Sequence, residues 1–252
     1  MAPPVSATYV FGLVAGKKPS RAKLPPGLPG SERPRLLDAG GGLHAIVATA
    51  PLELYGEEAI ERGLQDLEWV SRCAIAHERV VEHFAGARAL VPLKLFTIFH
   101  SDASALEHVK KNRARIDAVV ERVADRVELG VRVALDPRRV TRAALVTRPA
   151  SGAAFLLGKK KQKDDARALA GEARGEANAL HERLEALASG AVKKPPVAEG
   201  PRLLLDAAYL VARKKRVDFA RAVAREGKAL EASGLDVTIT GPWPPYHFAG
   251  IS

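Results

Sequence analysis

Two stretches of glycine and lysine have residue types that could bind a phosphate group. A P-loop needs four residues between its glycines and a Ser or Thr after its lysine, because backbone amides wrap the phosphate and the hydroxyl coordinates magnesium. Residues 12–18 have three residues between the glycines and no hydroxyl after the lysines, and residues 152–160 have five between the glycines. The spacing predicts strand ends and solvated loops at both places, and no nucleotide site.

Cys73 and His77 could offer two metal ligands, since a spacing of four places them on one side of a helix. Two ligands do not complete a site, and His83 is six residues beyond His77, so it points elsewhere. A histidine on an apolar helix face is more often a hydrogen-bonded core residue. No Gly-x-Ser-x-Gly turn occurs to hold a nucleophile. We therefore predict no metal, no cofactor and no catalytic residue, and that the protein is not an enzyme.

The lysine run at 159–163 and a formal net charge of +10 raise the possibility of nucleic-acid binding, because phosphate contacts need clustered Lys and Arg. Aromatic residues make up only 5% of the chain, and no aromatic run of the RNA-recognition type offers base stacking. The charge therefore favours solubility or attraction to an acidic partner. The lysine run is interpreted as a solvated loop. A basic nucleic-acid-binding module remains the alternative function.

Chain length and cysteine content bound the class of protein. A chain of 252 residues predicts two modest domains. One cysteine cannot form an intramolecular disulfide or a four-cysteine zinc site, which indicates a reducing compartment. The chain begins without a basic region followed by an apolar core, and no apolar run reaches the roughly 20 residues that span a bilayer. We expect a cytoplasmic protein without a membrane segment.

The first half of the chain alternates strand and helix patterns. β-branched and aromatic residues predict a strand over 8–14, whereas prolines and glycines between 17 and 42 resist regular structure. Further strands are predicted at 43–48 and 92–99. Apolar residues at spacings of three and four predict a helix over 57–84 and a second helix to 127, opened by a capping box from Ser104 to Glu107. The first helix is predicted to bury Leu64, Leu67, Val70, Ala74, His77, Val81 and Phe84.

The second half continues the alternation. Strands are predicted at 128–136, 203–211 and 236–240, and helices at 164–188 and 217–233, with a break at 190–201. Such an order predicts an α+β fold with two domains, an N-terminal α+β domain over 1–126 and a C-terminal domain over 127–252.

The end of the chain carries an unusual segment, which we call the GPWPPY segment: Gly241, Pro242, Trp243, Pro244, Pro245 and Tyr246. Its prolines fix φ at three positions and its two aromatics supply apolar area, so the segment should be rigid, extended and docked against protein. It also fits the weak PxxP pattern, but flanking basic residues are missing. We expect it to seal the core of its own domain, with a partner surface as the alternative.

The GPWPPY segment is the most specific of several motifs by which the chain resembles the GvpF/GvpL family of gas vesicle proteins. The other motifs, in family order, are residues 9–14 (YVFGLV), 43–47, 77–82 (HERVVE), 91–99 (VPLKLFTIF), 131–133 and 208–211. Residues 92–99 are similar to the family pattern Pro-Leu/Val-Arg-Phe-Gly-Thr-Val-Phe. Lys94 replaces its arginine and Phe96 its glycine.

The resemblance implies two α+β domains, the second a modified ferredoxin-like sheet covered by helices. It also implies a minor component or assembly factor of the gas vesicle that binds the main hydrophobic shell protein, assists nucleation and limits aggregation of that protein. We expect the shell contact on helix faces and loops of the first domain. Other vesicle accessory proteins are further implied partners, the implied location is the gas vesicle in the cytoplasm, and no cofactor is implied.

Overall fold

The computed structural model describes residues 5–16, 24–135, 152–195 and 203–250. The chain folds into two compact units. The first unit is Met1–Val127 together with Trp243–Ser252, and the second is Glu128–Pro242. Both units combine helices with a sheet, which confirms the predicted α+β class. That each unit is an independent domain stays a prediction.

The first unit is built on a sheet of five short strands. The strands are β1 (Ser6–Ala15), β2 (Arg35–Asp38), β3 (Leu43–Pro51), β4 (Ala89–Pro92) and β5 (Ile98–Phe99). The helices are α1 (Leu52–Tyr55), α2 (Glu57–Gly63), α3 (Leu67–His83), α4 (Asp102–Lys111) and α5 (Arg113–Val123). The sheet order is β2-β3-β1-β4, and β5 also pairs with β1. The pairings of β1 and that of β2 with β3 are antiparallel. Strand β2 lies within 17–42, so the prediction of irregular structure there is wrong at these four residues.

Strand β1 is the central strand of this sheet, and nine of its ten residues are buried. Its pairing with β3 shifts register between Val10 and Gly12. A Cβ atom at Gly12 would lie 2.8 Å from the carbonyl oxygen of Val91 on β4. Gly12 therefore permits close strand pairing and belongs to no phosphate loop. The lysines that follow β1 lie outside the described residues.

Helix α3 does not begin where the apolar spacing placed it. The predicted helix over 57–84 is wrong in its continuity, because Asp66 ends the preceding turn and caps a new helix by accepting from the amides of Glu68 and Trp69. Leu64 and Leu67 are 53% and 81% exposed, so their predicted burial is also wrong. The buried face of α3 consists of Cys73, His77, Val80 and Val81.

The second predicted helix is also divided. Ser101, not Ser104, is the N-cap of α4, and Ser104 is its N3 partner in a reciprocal capping box. The helix stops at Asn112, and α5 begins at the next residue. Four apolar residues of the two helices are nevertheless buried: Val109, Ile116, Val120 and Val123. The one-residue break at Asn112 therefore leaves these side chains in the core.

The predicted strand over 92–99 is interrupted, because Phe96 adopts a φ of 63°. That left-handed conformation favours glycine, so Phe96 must be held there by its contacts. Two contacts hold Phe96 in place here. Its ring stacks on Trp69 with centroids 5.2 Å apart, and its amide donates to the Tyr9 hydroxyl over 3.2 Å.

The second unit has the element order βαββαβ. Its strands are β6 (Arg126–Leu135), β7 (Gly190–Lys193), β8 (Leu203–Ala212) and β9 (Leu235–Trp243), and its helices are α6 (Gly152–Glu185) and α7 (Arg216–Leu230). The sheet order β7-β8-β6-β9 places the first and third strands of this unit at the centre, as in a ferredoxin-like sheet. Strand β7 lies within 190–201, so the predicted break there is wrong at its first residues.

Helix α6 is longer than its predicted range and begins 12 residues earlier, at Gly152. The stretches 152–160 and 159–163, both interpreted as loops, are therefore helical in the backbone. Leu180 and Leu184 are fully buried, whereas Leu187 is 49% exposed. The core of this unit also contains a buried hydrogen bond of 2.7 Å between Tyr209 of β8 and Nδ1 of His181.

The last described residues, Trp243 to Gly250, which we call the tail, pack with the first unit and not with the C-terminal domain to which the sequence assigned them. Phe248 and Ala249 are buried, and the carbonyl of Phe248 accepts from the guanidinium of Arg122 on α5. The tail turns on itself through an amide of Ala249 that donates to the Pro245 carbonyl over 2.8 Å. Burial of these apolar side chains against the first core fixes the tail there.

Candidate functional site

The first unit contains a cavity of about 560 Å³ between its helices, the segment joining β4 to β5, and the tail. Buried apolar side chains of β1 and of α4 and α5 supply much of the wall: Val10, Leu13, Ala105, Val109 and Ile116. Helix α3 adds Ala74, His77 and Glu78, and the tail adds Tyr246, Ala249 and Gly250. The cavity is the candidate functional site because it joins apolar volume to a few polar groups.

His77 is the buried polar residue of this site, with 4% of its surface exposed. Its Nδ1 atom lies 2.7 Å from the Tyr9 hydroxyl, which also accepts from the Phe96 amide. The hydroxyl hydrogen is thus available to His77, and the arrangement that satisfies all three groups leaves Nδ1 as an acceptor. The neutral imidazole then carries its hydrogen on Nε2. The interpretation of His77 as a hydrogen-bonded core residue is confirmed at Nδ1.

The Nε2 atom of His77 is buried as well. Burial lowers the pKa of His77 from 6.5 to about 4, although the nearby Leu93 carbonyl favours the protonated form. The imidazole is therefore neutral at pH 7. Burial also raises the pKa of the Cys73 thiol, which keeps the thiol protonated and unreactive.

Neither Cys73 nor His77 belongs to a metal centre in the part of the chain that the structure describes. Cys73 packs in the hydrophobic core below α3, and His77 uses Nδ1 for Tyr9. The described residues contain no group of three or more His, Cys, Asp or Glu side chains that could hold a metal ion. The described helices also include none with the length and apolarity needed to cross a bilayer.

Tyr246 and Glu78 form the polar wall of the cavity next to the tail. The Tyr246 hydroxyl donates a short hydrogen bond to the carboxylate of Glu78 on α3. Burial raises the pKa of Glu78, the hydrogen bond from Tyr246 opposes that change, and the charge of Glu82 adds to it. Burial likewise raises the pKa of Tyr246, with Glu78 as the second cause. Tyr246 therefore stays a neutral donor at pH 7.

We expect Glu78→Gln to stabilise the protein at pH 7 and to leave it unchanged at pH 4. A carboxyl group whose pKa is raised on folding contributes stability below its unfolded pKa, and that contribution is lost as the pH rises through the folded pKa. Glutamine stays neutral and still accepts from Tyr246. Urea unfolding at both pH values measures the effect.

Tyr246→Phe is the matched variant. It should lower the stability of the protein at pH 7, whereas Glu78→Gln should increase it. It removes the donor to Glu78 and leaves the ring, so a loss of up to about 1 kcal/mol is expected for this partly exposed pair. A Glu78→Gln variant that is less stable than the parent at pH 7 would contradict this description of the wall.

The GPWPPY segment contributes only its last residue to the cavity. Gly241 has a φ of 101°, which favours glycine, and the Gly241-Pro242 peptide bond is cis. Trp243 is 44% exposed, whereas Pro244 and Pro245 are buried. Tyr246 is therefore the member that the structure brings to the site. Sequence reasoning missed Tyr9, Glu78 and Phe96, because their contacts join residues 87 or 168 positions apart.

Comparisons with known proteins agree on one family. The sequence matches the family model described as gas vesicle synthesis protein GvpL/GvpF over residues 7–250. It is 31% identical over 258 residues to gas vesicle protein L of Streptomyces sp. (strain CB03234), covering 97% of this chain and 93% of that relative.

Two solved structures have a similar fold. One is the crystal structure of the gas vesicle protein GvpF from Anabaena sp. PCC7120, with a TM-score of 0.70, 19% identity, and coverage of 98% of this chain and 97% of that one. The other is that of GvpF from Microcystis aeruginosa, with a TM-score of 0.67, 15% identity, and coverage of 97% and 99%. At these identities the likeness shows the fold alone.

Proposed function

The chain belongs to the GvpL/GvpF family of gas vesicle proteins, and on that premise we propose that it binds the main hydrophobic shell protein of the vesicle. In this role it is a minor vesicle component or assembly factor that assists nucleation and limits aggregation of the shell protein. The observation that carries the proposal is the family match over residues 7–250. A subunit that is strongly apolar on one face aggregates unless that face is covered, and a binding partner would supply this cover.

The exposed apolar side chains of the first unit support a contact surface there. Four large ones lie between residues 54 and 75, on or between α1 and α3: Leu54, Leu64, Leu67 and Ile75, with exposures of 44%, 53%, 81% and 53%. Large apolar side chains that stay exposed are available for contact with another protein. We propose that this α1–α3 surface contacts the apolar face of the shell protein.

The same proposal assigns no catalytic reaction to the chain and places it in the cytoplasm with the vesicle. The family is one of gas vesicle proteins and not a known enzyme family. A nucleic-acid-binding role is the alternative, and the net charge of +10 is the feature that favours it. Nucleic-acid binding would weaken steeply with added salt, whereas an apolar protein contact would not.

The test is a pull-down of purified shell protein by the immobilised full chain at low and high salt. We expect enrichment of the shell protein over a control resin at both salt concentrations. Leu67→Asp and Ile75→Asp should each reduce the enrichment several-fold, because a charge on an apolar contact surface must be desolvated. Leu187→Asp, at a residue of the second unit with 49% exposure, is the matched control and should leave it unchanged. No enrichment by the parent chain would overturn the proposal.

A further inference from the structure

The first unit carries a local concentration of negative charge, although the chain as a whole is basic. Residues 53–68 contain six carboxylates and one arginine, in a protein with a formal net charge of +10. All six carboxylate residues are exposed. Four of them belong to α1 and α2, and we call these the acidic face: Glu53, Glu57, Glu58 and Glu61. The three on α2 lie on one side of that helix, because positions three and four apart are neighbours there.

The fold of the first unit does not by itself account for the acidic face. Among the described residues, the ion pair found for these glutamates joins Glu58 to Arg62 at 3.9 Å, with both side chains largely exposed. Such a pair contributes little. The helix dipole favours Glu57 and Glu58 in the first turn of α2, but Glu61 lies four residues after Glu57, where a like charge is unfavourable. A cationic partner would relieve this repulsion.

The second unit carries the complementary charge in four consecutive exposed cations, which we call the basic run: Arg213, Lys214, Lys215 and Arg216. The run leads into α7, and its N-cap, Lys215, forms no side-chain cap. Positive charge is unfavourable there, because the helix dipole is also positive at its N-terminus. Asp218, the acidic residue of the first turn, pairs with Arg221 at 3.3 Å. A partner with carboxylates would therefore stabilise the basic run.

An exposed apolar side chain adjoins each of the two charged surfaces. Leu54 follows Glu53 and is 44% exposed, and Val217 follows Arg216 and is 51% exposed. Charged groups give a contact its register and association rate, whereas apolar area adds affinity. The net charge of the chain opposes contact between copies, but salt screens that repulsion beyond about 8 Å at physiological ionic strength. Local complementarity therefore decides whether two copies associate.

From these observations we infer that the acidic face of one copy of this protein binds the basic run of a second copy. The ammonium and guanidinium groups of the run pair with the glutamates of α1 and α2, and Leu54 and Val217 add apolar contact. A nucleic acid would bind the basic run but would be repelled by the acidic face, whereas a second copy satisfies both surfaces. The inference goes beyond the proposed function, since it concerns contact between copies and requires no shell protein.

Charge reversal on each surface tests the inference without the shell protein. Sedimentation of the nuclease-treated full chain from about 10 µM to about 1 mM should show self-association that weakens with added salt. Glu57→Lys/Glu61→Lys and Lys214→Glu/Lys215→Glu should each weaken it at least about tenfold, because like charges then face each other. An equimolar mixture of the two variants should associate again, since the reversed surfaces of one variant complement those of the other.

A third variant separates local complementarity from net charge. Lys110 and Lys111 are exposed on α4, and Lys110→Glu/Lys111→Glu changes the net charge as much as reversal of the two lysines in the basic run does. This variant should self-associate like the parent, and circular dichroism should show that all three variants are folded. A parent chain that stays monomeric would overturn the inference. So would variants that do not associate when mixed, or an association of the parent that nuclease abolishes, as expected of bridging by nucleic acid.

Discussion

Lowering the pH from 7 to 4 should cost the protein about 3 kcal/mol of folding free energy through His77 alone. Burial holds the pKa of the folded imidazole at about 4, and the unfolded chain titrates near 6.5. Between these values the unfolded state binds more protons, so stability that is present above pH 6.5 is lost as the pH falls towards 4. The gap between the two values corresponds to about 3 kcal/mol.

The comparison that isolates this contribution is between the parent chain and His77→Asn. Carboxyl groups also titrate between pH 7 and 4, but they do so in both proteins. The difference between the unfolding free energies of the two proteins therefore contains only the contribution of His77. Urea unfolding at several pH values should give the parent a steeper loss of stability than the variant. An NMR titration of the imidazole in the folded state checks the cause. Equal pH dependence of the two proteins would contradict the buried neutral state of His77.

Phe248→Ala should destabilise the protein by about 3 kcal/mol. Phe248 is 8% exposed and anchors the tail, and truncation of a buried Phe removes apolar contacts and leaves a cavity. The backbone carbonyl of residue 248 would still accept the hydrogen bond from Arg122, so the loss of stability measures side-chain packing. Leu67→Ala is the matched control, because that side chain is 81% exposed and its truncation should change stability by less than about 0.5 kcal/mol.

Hydrogen exchange shows which unit the tail stabilises. If the two units are separate domains, Phe248→Ala should reduce protection of first-unit amides such as Ile46 and Val47 and leave Tyr209 of the second unit protected. Loss of protection in the second unit alone would contradict the placement of the tail. Equal loss in both units would contradict their independence.

Local patterns in the sequence were sufficient to predict the ranges of elements that bury a continuous run or face of residues. Strands β1, β3 and β8 and helix α7 lie close to their predicted ranges, since period and turn residues agree there. The same spacing rule failed at Leu64 and Leu67, because a cap at Asp66 starts a new helix and the spacing does not continue across it. Spacing alone does not detect a one-residue break such as that at Asn112.

The candidate site depends on contacts that no local pattern encodes. His77 and Tyr9 are 68 residues apart, and Tyr246 and Glu78 are 168 apart. The GPWPPY segment identified the family from its residues, yet its rigid prolines could not indicate which core the segment would join. The left-handed backbone at Phe96 had one signal, the glycine that the family pattern carries there. Only the structure shows that the Phe96 amide donates to the Tyr9 hydroxyl.

The most direct test of shell-protein binding is the aggregation of the purified shell protein when it is diluted out of denaturant, followed by light scattering. We expect the full chain to suppress or delay the rise in scattering in a dose-dependent manner, and Leu67→Asp to do so less effectively. An unrelated basic protein of similar net charge should have little effect. A scattering curve that is unchanged by the full chain would contradict the central claim that this protein covers the apolar face of the shell protein.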